Sequence, residues 1–282
     1  MRYTLIYRCN IKYCNYTCSY CPFSKYTLNE KNIEKDKQMF KKFIAFLKSS
    51  EDNFKILIAP KGEVLGFDYY KNNLIEISNL PNIDELVIQT NLSGDLNWLK
   101  NVDRDKLKLW VTYHPDQVKL EKFLLQIENL VKLNVKFSVG IVGIKENINK
   151  ICVLKDKLLN IDKKIYLWIN AYKDIKDYYS NEDINRLVEI DEYFNINNKN
   201  YICDYENCNA GKNVFWIEGN GVIHKCYRNN NPLGSIYKDK LNKLKEIPMR
   251  KNEICKCYTG YIHLQNLCLD LVYKESLLAR IK

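Results

Sequence analysis

The 282-residue sequence lacks several features that would place it in a common functional class. It has only three histidines, His114, His224 and His263, and they stand too far apart to indicate a histidine-based metal site. No apolar stretch approaches the roughly 18 residues that a membrane-spanning helix needs. The chain shows no internal repeat, and its start lacks the basic, apolar and small-residue segments of a secretory signal. The sequence therefore predicts a cytoplasmic protein without a membrane partner.

The charge balance is basic, with 44 Lys and Arg against 34 Asp and Glu and a net charge of +10. Such a balance favours an acidic partner, such as a peptide or a nucleic acid. However, the lysines are scattered, and no arginine-rich run or compact basic and aromatic patch is present despite 21 tyrosines. A nucleic-acid partner is therefore not expected. With 46% hydrophobic residues, the chain can bury a full core, and its 282 residues are enough for one large domain and a small one.

Cysteine, in contrast, is abundant, and three of the eleven cysteines lie in the run Cys14-Asn-Tyr-Thr-Cys18-Ser-Tyr-Cys21. An odd number of cysteines without a secretory signal disfavours a disulfide framework and favours free thiolates. Three thiolates are one fewer than a [4Fe-4S] cluster takes, so one iron would remain open to another ligand. Zinc loops more often pair two Cys-x-x-Cys knuckles, and no second knuckle lies nearby, so zinc is the weaker alternative.

The rest of the first 170 residues alternates between apolar runs and amphipathic segments, which predicts parallel βαβ units. We expect a partial (β/α)6 TIM-like barrel, with an open flavodoxin-like sheet as the alternative. The predicted strands are 3–9, 54–59, 85–90, 107–112, 135–144 and 164–169, and the predicted helices are 35–47, 74–80, 120–133 and 148–159. The cysteine loop follows the first strand, at the carboxyl edge where barrel enzymes place their active residues.

Candidate ligand contacts follow the other predicted strands. Lys61-Gly62-Glu63 comes after the second strand, where a glycine permits close backbone approach and a carboxylate can accept hydrogen bonds from an ammonium group. Thr90-Asn91-Leu92 ends the third strand, and Thr112 ends the fourth with a hydroxyl that could contact a ribose or a carboxylate. Val139 to Glu146, which includes Ile141 and Gly143, covers the fifth strand and its loop. Their common position at strand ends predicts one binding site.

A second group of cysteines follows residue 200. Asn220-Gly221 predicts a type I′ hairpin, which would bring the cysteines on its two sides to one end. Four thiolates could then complete a closed site, with zinc as the alternative to a cluster. The four are Cys208, Cys226, Cys255 and Cys257. Cys203 or Cys268 could replace one of the last two.

These motifs resemble those of the radical S-adenosylmethionine (radical SAM) enzymes. The first loop resembles their Cys-x3-Cys-x2-Cys motif, in which the amino and carboxylate groups of SAM chelate the open iron. Gly62-Glu63 is similar to the end of their Gly-Gly-Glu motif, Thr90-Asn91 to a Thr-Asn-Gly turn with Leu92 in the glycine position, and residues 139–143 to a Gly-x-Ile-x-Gly pattern around adenine. The resemblance implies SAM contacts at Tyr20, Gly62, Glu63, Asn91, Thr112, Ile141 and Gly143.

The second cysteine group resembles the twitch half of a SPASM domain, which carries one auxiliary [4Fe-4S] cluster. This resemblance implies a radical SAM barrel over residues 1–195 and a cluster domain over 196–282. The tail after Cys257 matches no family motif, and its apolar spacing predicts a C-terminal helix. Cys268 is a candidate hydrogen-atom donor to a substrate radical. Closed ligation by four cysteines would suit a role in electron transfer.

The implied reaction is reductive cleavage of SAM to a 5′-deoxyadenosyl radical, which removes a hydrogen atom from the substrate. We expect the substrate to be a ribosomally made peptide that gains a thioether, a carbon-carbon crosslink or an epimerised residue. A flavodoxin or ferredoxin would donate electrons. Because only 13 residues precede Cys14, a separate protein would bind the leader peptide. The alternatives are oxidation of a small-molecule alcohol, nucleic-acid modification and a zinc-binding structural protein.

Overall fold

The computed structural model describes residues 1–23, 27–173, 175–203, 207–244, 253–255 and 257–282, with Cys203 and Glu253 described by their backbones alone. The strands are β1 (Arg2–Arg8), β2 (Asn53–Ile58), β3 (Ile83–Thr90), β4 (Leu107–Tyr113), β5 (Lys136–Val142), β6 (Leu167–Asn170), β7 (Tyr201–Cys203), β8 (Val214–Glu218), β9 (Val222–His224), β10 (Pro232–Ser235) and β11 (Glu253–Cys255). The α-helices are α1 (Glu30–Ser49), α2 (Asp68–Ser78), α3 (Leu120–Lys132), α4 (Ile148–Ile161), α5 (Asn181–Ile190), α6 (Phe194–Asn198) and α7 (Leu269–Val272).

Nine of the described strands form one sheet in the order β10-β9-β8-β1-β2-β3-β4-β5-β6, and β7 pairs with β11 separately. Strands β1 to β6 lie side by side in chain order and are all parallel, with helices in the connections from β1 to β3 and from β4 to β6. A doubly wound sheet would reverse its strand order at a switch point. The strictly sequential order therefore confirms the predicted α/β partial barrel.

The two faces of the sheet carry two separate apolar layers, because side chains alternate along each strand. Tyr7 and Ile58 point outward and pack against helical residues such as Phe43 of α1. On the inner face, Trp110 of β4 packs edge to face against Trp168 of β6, with the ring centres 5.0 Å apart. Both faces of the central strands are thus buried, as in other parallel sheets.

The inner layer is filled by the end of the chain. The Arg280 guanidinium lies 4.2 Å from the ring centre of Trp110 and 3.8 Å from that of Trp168, and the residue is fully buried. Ser276 donates a hydrogen bond to the buried Glu85 carboxylate. The expected C-terminal helix is therefore limited to the four residues of α7, because the tail follows the inside of the barrel and bonds to its strands.

The predicted hairpin is formed by β8 and β9, with Trp216 opposite His224. Its turn differs from the type I′ prediction, which requires positive φ at both central residues. Gly221 donates its N–H to the Glu218 carbonyl at 2.7 Å and has φ of 86°, whereas Asn220 is outside the left-handed region. Gly221 thus closes the turn instead of standing inside it. Because β8 pairs in parallel with β1, the hairpin extends the barrel sheet, and the division at residue 195 stays a prediction.

Helices α1, α2 and α4 extend beyond the residues that their apolar spacing indicated, whereas α3 agrees with its prediction to within one residue. Helix α1 begins at Glu30 instead of residue 35, because the Asn29 side chain caps it by accepting the Asn32 N–H at 2.8 Å. Helix α2 covers Asp68–Ser78, and the prediction had located only its closing part, at residues 74–80. None of the helices in the described ranges combines the length and the apolar character that crossing a membrane requires.

Candidate functional site

The first cysteine loop follows β1 at the carboxyl edge of the barrel. Cys18 is buried and Cys14 and Cys21 are half-buried, and none of the ten cysteines with described side chains forms a disulfide bond. The Tyr16 N–H donates to Cys14 Sγ at 3.4 Å. Among the described residues, no three His, Cys, Asp or Glu side chains are already arranged around one metal position. Three free thiols on one short loop are nevertheless a donor set that suits an iron-sulfur cluster.

Two residues that follow β4 anchor this loop. The Thr17 N–H donates to Gln117 Oε1 at 2.9 Å. His114 Nδ1 lies 2.8 Å from the Tyr20 hydroxyl and 3.4 Å from Cys18 Sγ. Burial lowers the pKa of His114 to about 4, so the imidazole is neutral at physiological pH. Sequence reasoning missed this role, although the position of His114 directly after a predicted strand was a usable signal.

Gly62 lies directly on the backbone of the cysteine loop. A Cβ at this position would be 1.8 Å from the Tyr13 carbonyl oxygen and 3.1 Å from the Cys14 nitrogen. The next residue, Glu63, donates its N–H to the same Tyr13 carbonyl at 2.8 Å. The turn after β2 therefore supports the loop at its first cysteine, and only glycine fits there.

The Glu63 carboxylate is 3% exposed and joins the ends of β2 and β3. Its Oε1 accepts the Leu65 N–H at 2.9 Å, and its Oε2 accepts the Thr90 hydroxyl at 2.9 Å and the Asn91 N–H at 2.6 Å. Burial raises the pKa of Glu63, and these hydrogen bonds oppose the increase. Its contact with the amino group of SAM stays a prediction.

Asn91 links the end of β3 to the cysteine loop. Its Nδ2 donates to Asn15 Oδ1 at 3.0 Å and lies 3.7 Å from Cys14 Sγ. The following Leu92 is buried and has φ of 58°, in the left-handed region that favours glycine. Leu92 thus adopts the conformation that the glycine of a Thr-Asn-Gly turn would adopt without strain.

The remaining predicted contacts lie on β4 and β5. Thr112 is half-buried and pairs in register with Gly140. Ile141 is fully buried in the outer apolar layer, and its contact with SAM stays a prediction. Gly143 is also buried, and its carbonyl accepts the Tyr179 hydroxyl. Of these three, Thr112 is the residue with exposed surface.

A cleft of about 510 Å³ lies between the cysteine loop and the loops that follow β4, β5 and β6. Its lining includes Ser19, Tyr20, Asp116, Ile144, Glu146 and Tyr172. Tyr20 belongs to the cysteine loop, and Glu146 ends the motif that includes Gly143. The structure thus brings parts of two predicted motifs to one open cleft.

The second cysteine group surrounds one small cavity. The cavity measures about 40 Å³, and its lining includes all four predicted ligands, Cys208, Cys226, Cys255 and Cys257. A Cβ on Gly260 would lie 3.3 Å from Cys255 Sγ and 3.5 Å from Cys257 Sγ, so glycine allows the backbone close to both thiols. Four cysteines around one cavity fit a closed cluster or a structural zinc.

The cysteines in and around this cavity differ in burial and in their charged neighbours. Burial raises the pKa of the Cys208 thiol, and the nearby charge of the buried Lys225 opposes that increase. Cys268 is exposed and is not part of the cavity lining, so its role as a hydrogen-atom donor stays a prediction. The Cys203 side chain lies outside the described residues.

His263 lines the same cavity and is 5% exposed. We expect this buried histidine to make the stability of the folded chain depend on pH. Burial and the Arg280 charge lower its pKa from 6.5 to about 4. As the pH falls, His263 of the unfolded chain binds a proton near pH 6.5, whereas His263 of the folded chain binds one only near pH 4. The folded state is therefore fully favoured by this group above pH 6.5, and it loses that stability as the pH falls towards 4. The unfolding free energy of the metal-free protein is measured by urea titration at pH 7 and at pH 4. We expect the decrease between the two pH values to be roughly 3 kcal/mol smaller in His263→Gln than in the unchanged chain. An unchanged loss would contradict this prediction.

No known protein-family profile matches the sequence, and no curated protein matches it. Solved structures match at low identity. The structure of native anSMEcpe with bound AdoMet (SAM) is 17% identical, covers 86% of this chain and 81% of its own, and has a TM-score of 0.59. The same protein with AdoMet and the Kp18Cys peptide is 15% identical, covers 87% and 82%, and has a TM-score of 0.60.

Streptococcus suis SuiB is 17% identical over 84% of this chain, with a TM-score of 0.57, and the match spans 64% of SuiB. Both neighbours are radical SAM enzymes. The parallel strands, the cysteine loop at their carboxyl edge and the extended sheet are therefore parts of one known architecture, and this chain has the fold of the radical SAM enzymes.

Proposed function

We propose that this chain is a radical SAM enzyme. The observation that carries the proposal is the attachment of the Cys14 loop to Gly62, Glu63 and Asn91, within the fold of SAM-bound enzymes. When bound to Cys14, Cys18 and Cys21, a [4Fe-4S] cluster would supply the electron that cleaves SAM to methionine and a 5′-deoxyadenosyl radical.

The chain's own residues would then bind and orient SAM. Gly62 and Asn91 hold the cysteine loop in place, and Glu63 fastens the two strand ends beneath it. The cleft beside the loop offers aromatic faces at Tyr20 and Tyr172 for the adenine and a carboxylate at Glu146. This arrangement would place the nucleoside next to the cysteine loop and would partly exclude water from it.

The second site is proposed to hold an auxiliary [4Fe-4S] cluster on Cys208, Cys226, Cys255 and Cys257. Its support is the convergence of these cysteines on one largely apolar cavity, whose lining includes Ile6 and Trp216. Burial among apolar groups suits electron transfer, because it keeps solvent away from the cluster.

The proposed substrate is a ribosomally made peptide, which would gain a thioether, a carbon-carbon crosslink or an epimerised residue. Structures of anSMEcpe contain Cp18Cys and Kp18Cys peptides, which favours this class. The net charge of +10 would attract an acidic leader peptide. A separate protein would present the leader, and a flavodoxin or ferredoxin would supply electrons.

Anaerobic reconstitution followed by metal and sulfide analysis tests the cofactor assignment. We expect about eight irons per chain and formation of 5′-deoxyadenosine from SAM in the presence of dithionite. Bound zinc without iron would contradict the proposal. Purified protein incubated with a short peptide encoded by a neighbouring gene should change the mass of that peptide. Reaction with an aminocyclitol or an RNA fraction instead would assign the small-molecule or nucleic-acid class.

A further inference from the structure

Arg8 is a buried cation at the carboxyl end of β1, the strand that leads into the first cysteine loop. The residue is only 6% exposed. Its Nη1 donates to the Ala59 carbonyl at 3.0 Å, whereas its buried Nε has no hydrogen-bond partner among the described residues. A buried guanidinium N–H without an acceptor carries a desolvation cost and needs an explanation.

The guanidinium lies between aromatic rings from both cysteine regions. It is 4.6 Å from the ring centre of Phe23, two residues after Cys21. It is also 5.6 Å from the ring of Trp216, which lines the second cavity, and 6.0 Å from that of Tyr227, which follows Cys226. Arg8 therefore connects the first loop to the wall of the second site.

Four ionisable groups act on the Arg8 guanidinium: Tyr227 and Cys257 line the second cavity, whereas Cys9 and Glu218 do not. Burial lowers the pKa of its guanidinium, and the Tyr227, Glu218 and Cys257 groups oppose that decrease. Glu218 is shared, because it also accepts the Trp216 indole N–H at 3.1 Å and pairs with Lys61 at 3.4 Å. Since arginine stays protonated in proteins, a positive charge lies next to Trp216 and Tyr227, two residues that line the second cavity.

We propose that Arg8 is a positioning residue that makes the second cluster easier to reduce. This inference rests on the proposed function, because it requires a cluster on Cys208, Cys226, Cys255 and Cys257. The guanidinium would place a buried positive charge behind the Trp216 and Tyr227 wall of the cluster cavity, where it also contacts Phe23 of the first cysteine region.

Reduction of the cluster adds one electron and makes its charge more negative. A nearby cation stabilises that reduced state, which raises the reduction potential. The effect is large only for a buried charge, because water screens an exposed one. Arg228 provides the comparison, since it lines the same cavity but is exposed.

The test uses a chain in which Cys14, Cys18 and Cys21 are alanine, so that only the second cluster contributes a signal. Each variant is reconstituted, analysed for iron and titrated with dithionite while the reduced cluster is followed by electron paramagnetic resonance. We expect about four irons per chain. Relative to the parent chain, the midpoint reduction potential should be clearly more negative in Arg8→Met, shift less in Arg8→Lys, and stay almost unchanged in Arg228→Met.

Each outcome has a separate meaning. A parent chain without iron would overturn the proposed cluster itself, whatever Arg8 does. An iron-loaded Arg8→Met chain with an unchanged midpoint, or one that shifts no more than Arg228→Met, would overturn the role of Arg8. Loss of iron from Arg8→Met alone supports the need for a cation, whereas equal loss from Arg8→Met and Arg8→Lys would show a packing role only.

Discussion

Replacing Cys14, Cys18 and Cys21 with alanine is expected to abolish 5′-deoxyadenosine formation from SAM. The loss should be on the order of 1000-fold or more, because no other group in the proposed mechanism can deliver the electron. Iron content should fall from about eight to about four per chain, since the second site keeps its own ligands. Product is measured by liquid chromatography, and iron is measured on the same sample.

Cys152→Ala provides the matched control. Cys152 is a free, half-buried thiol on α4, outside both cysteine groups. We expect this variant to keep both its iron and its activity. Deoxyadenosine production by the triple variant at the level of the control would refute the assignment of the first site.

Gly62→Ala is expected to damage the first site although it changes no thiol. The added Cβ would lie 1.8 Å from the Tyr13 carbonyl oxygen, a backbone atom that can move only with the loop. We expect a loss of unfolding free energy of about 2 to 3 kcal/mol and loss of iron from the first site. Urea unfolding and iron analysis measure the two effects.

Gly66→Ala is the control for this substitution, because Gly66 belongs to the same connection and is exposed. A Cβ there would meet no atom within 4 Å. Its unfolding free energy should change by less than about 1 kcal/mol, and its iron content should stay unchanged. If Gly62→Ala behaved like Gly66→Ala, the close contact between the β2 turn and the cysteine loop would be wrong.

Local patterns in the chain were sufficient for the fold and for the outline of the first site. Apolar runs and helical spacing located strands β1 to β6 and helices α1 to α4, because such patterns record which face of an element is buried. The spacing of Cys14, Cys18 and Cys21 indicated directly that three thiols share one loop. Helix ends were less accurate, since α1 begins at a polar cap and not at its apolar face.

Contacts between distant segments required the tertiary structure. Glu63 was predicted as a ligand contact from its place after β2, and the structure adds that its carboxylate accepts hydrogen bonds from Thr90 and Asn91, 27 and 28 positions further along the chain. His114 is 96 positions from Cys18, so no local pattern could pair them. The tail was predicted to be a helix from the spacing of its apolar residues. That spacing does not show that the tail packs inside the barrel, where Arg280 lies against Trp168.

The cysteines illustrate the same division. Short spacing within one loop makes three thiols neighbours whatever the rest of the chain does, so Cys14, Cys18 and Cys21 could be grouped from sequence alone. Cys208 and Cys257 become neighbours only because β8 pairs with β1 and the later segments fold back over it. Burial and electrostatics around Arg8 likewise depend on the whole barrel, since three separate segments supply its aromatic neighbours.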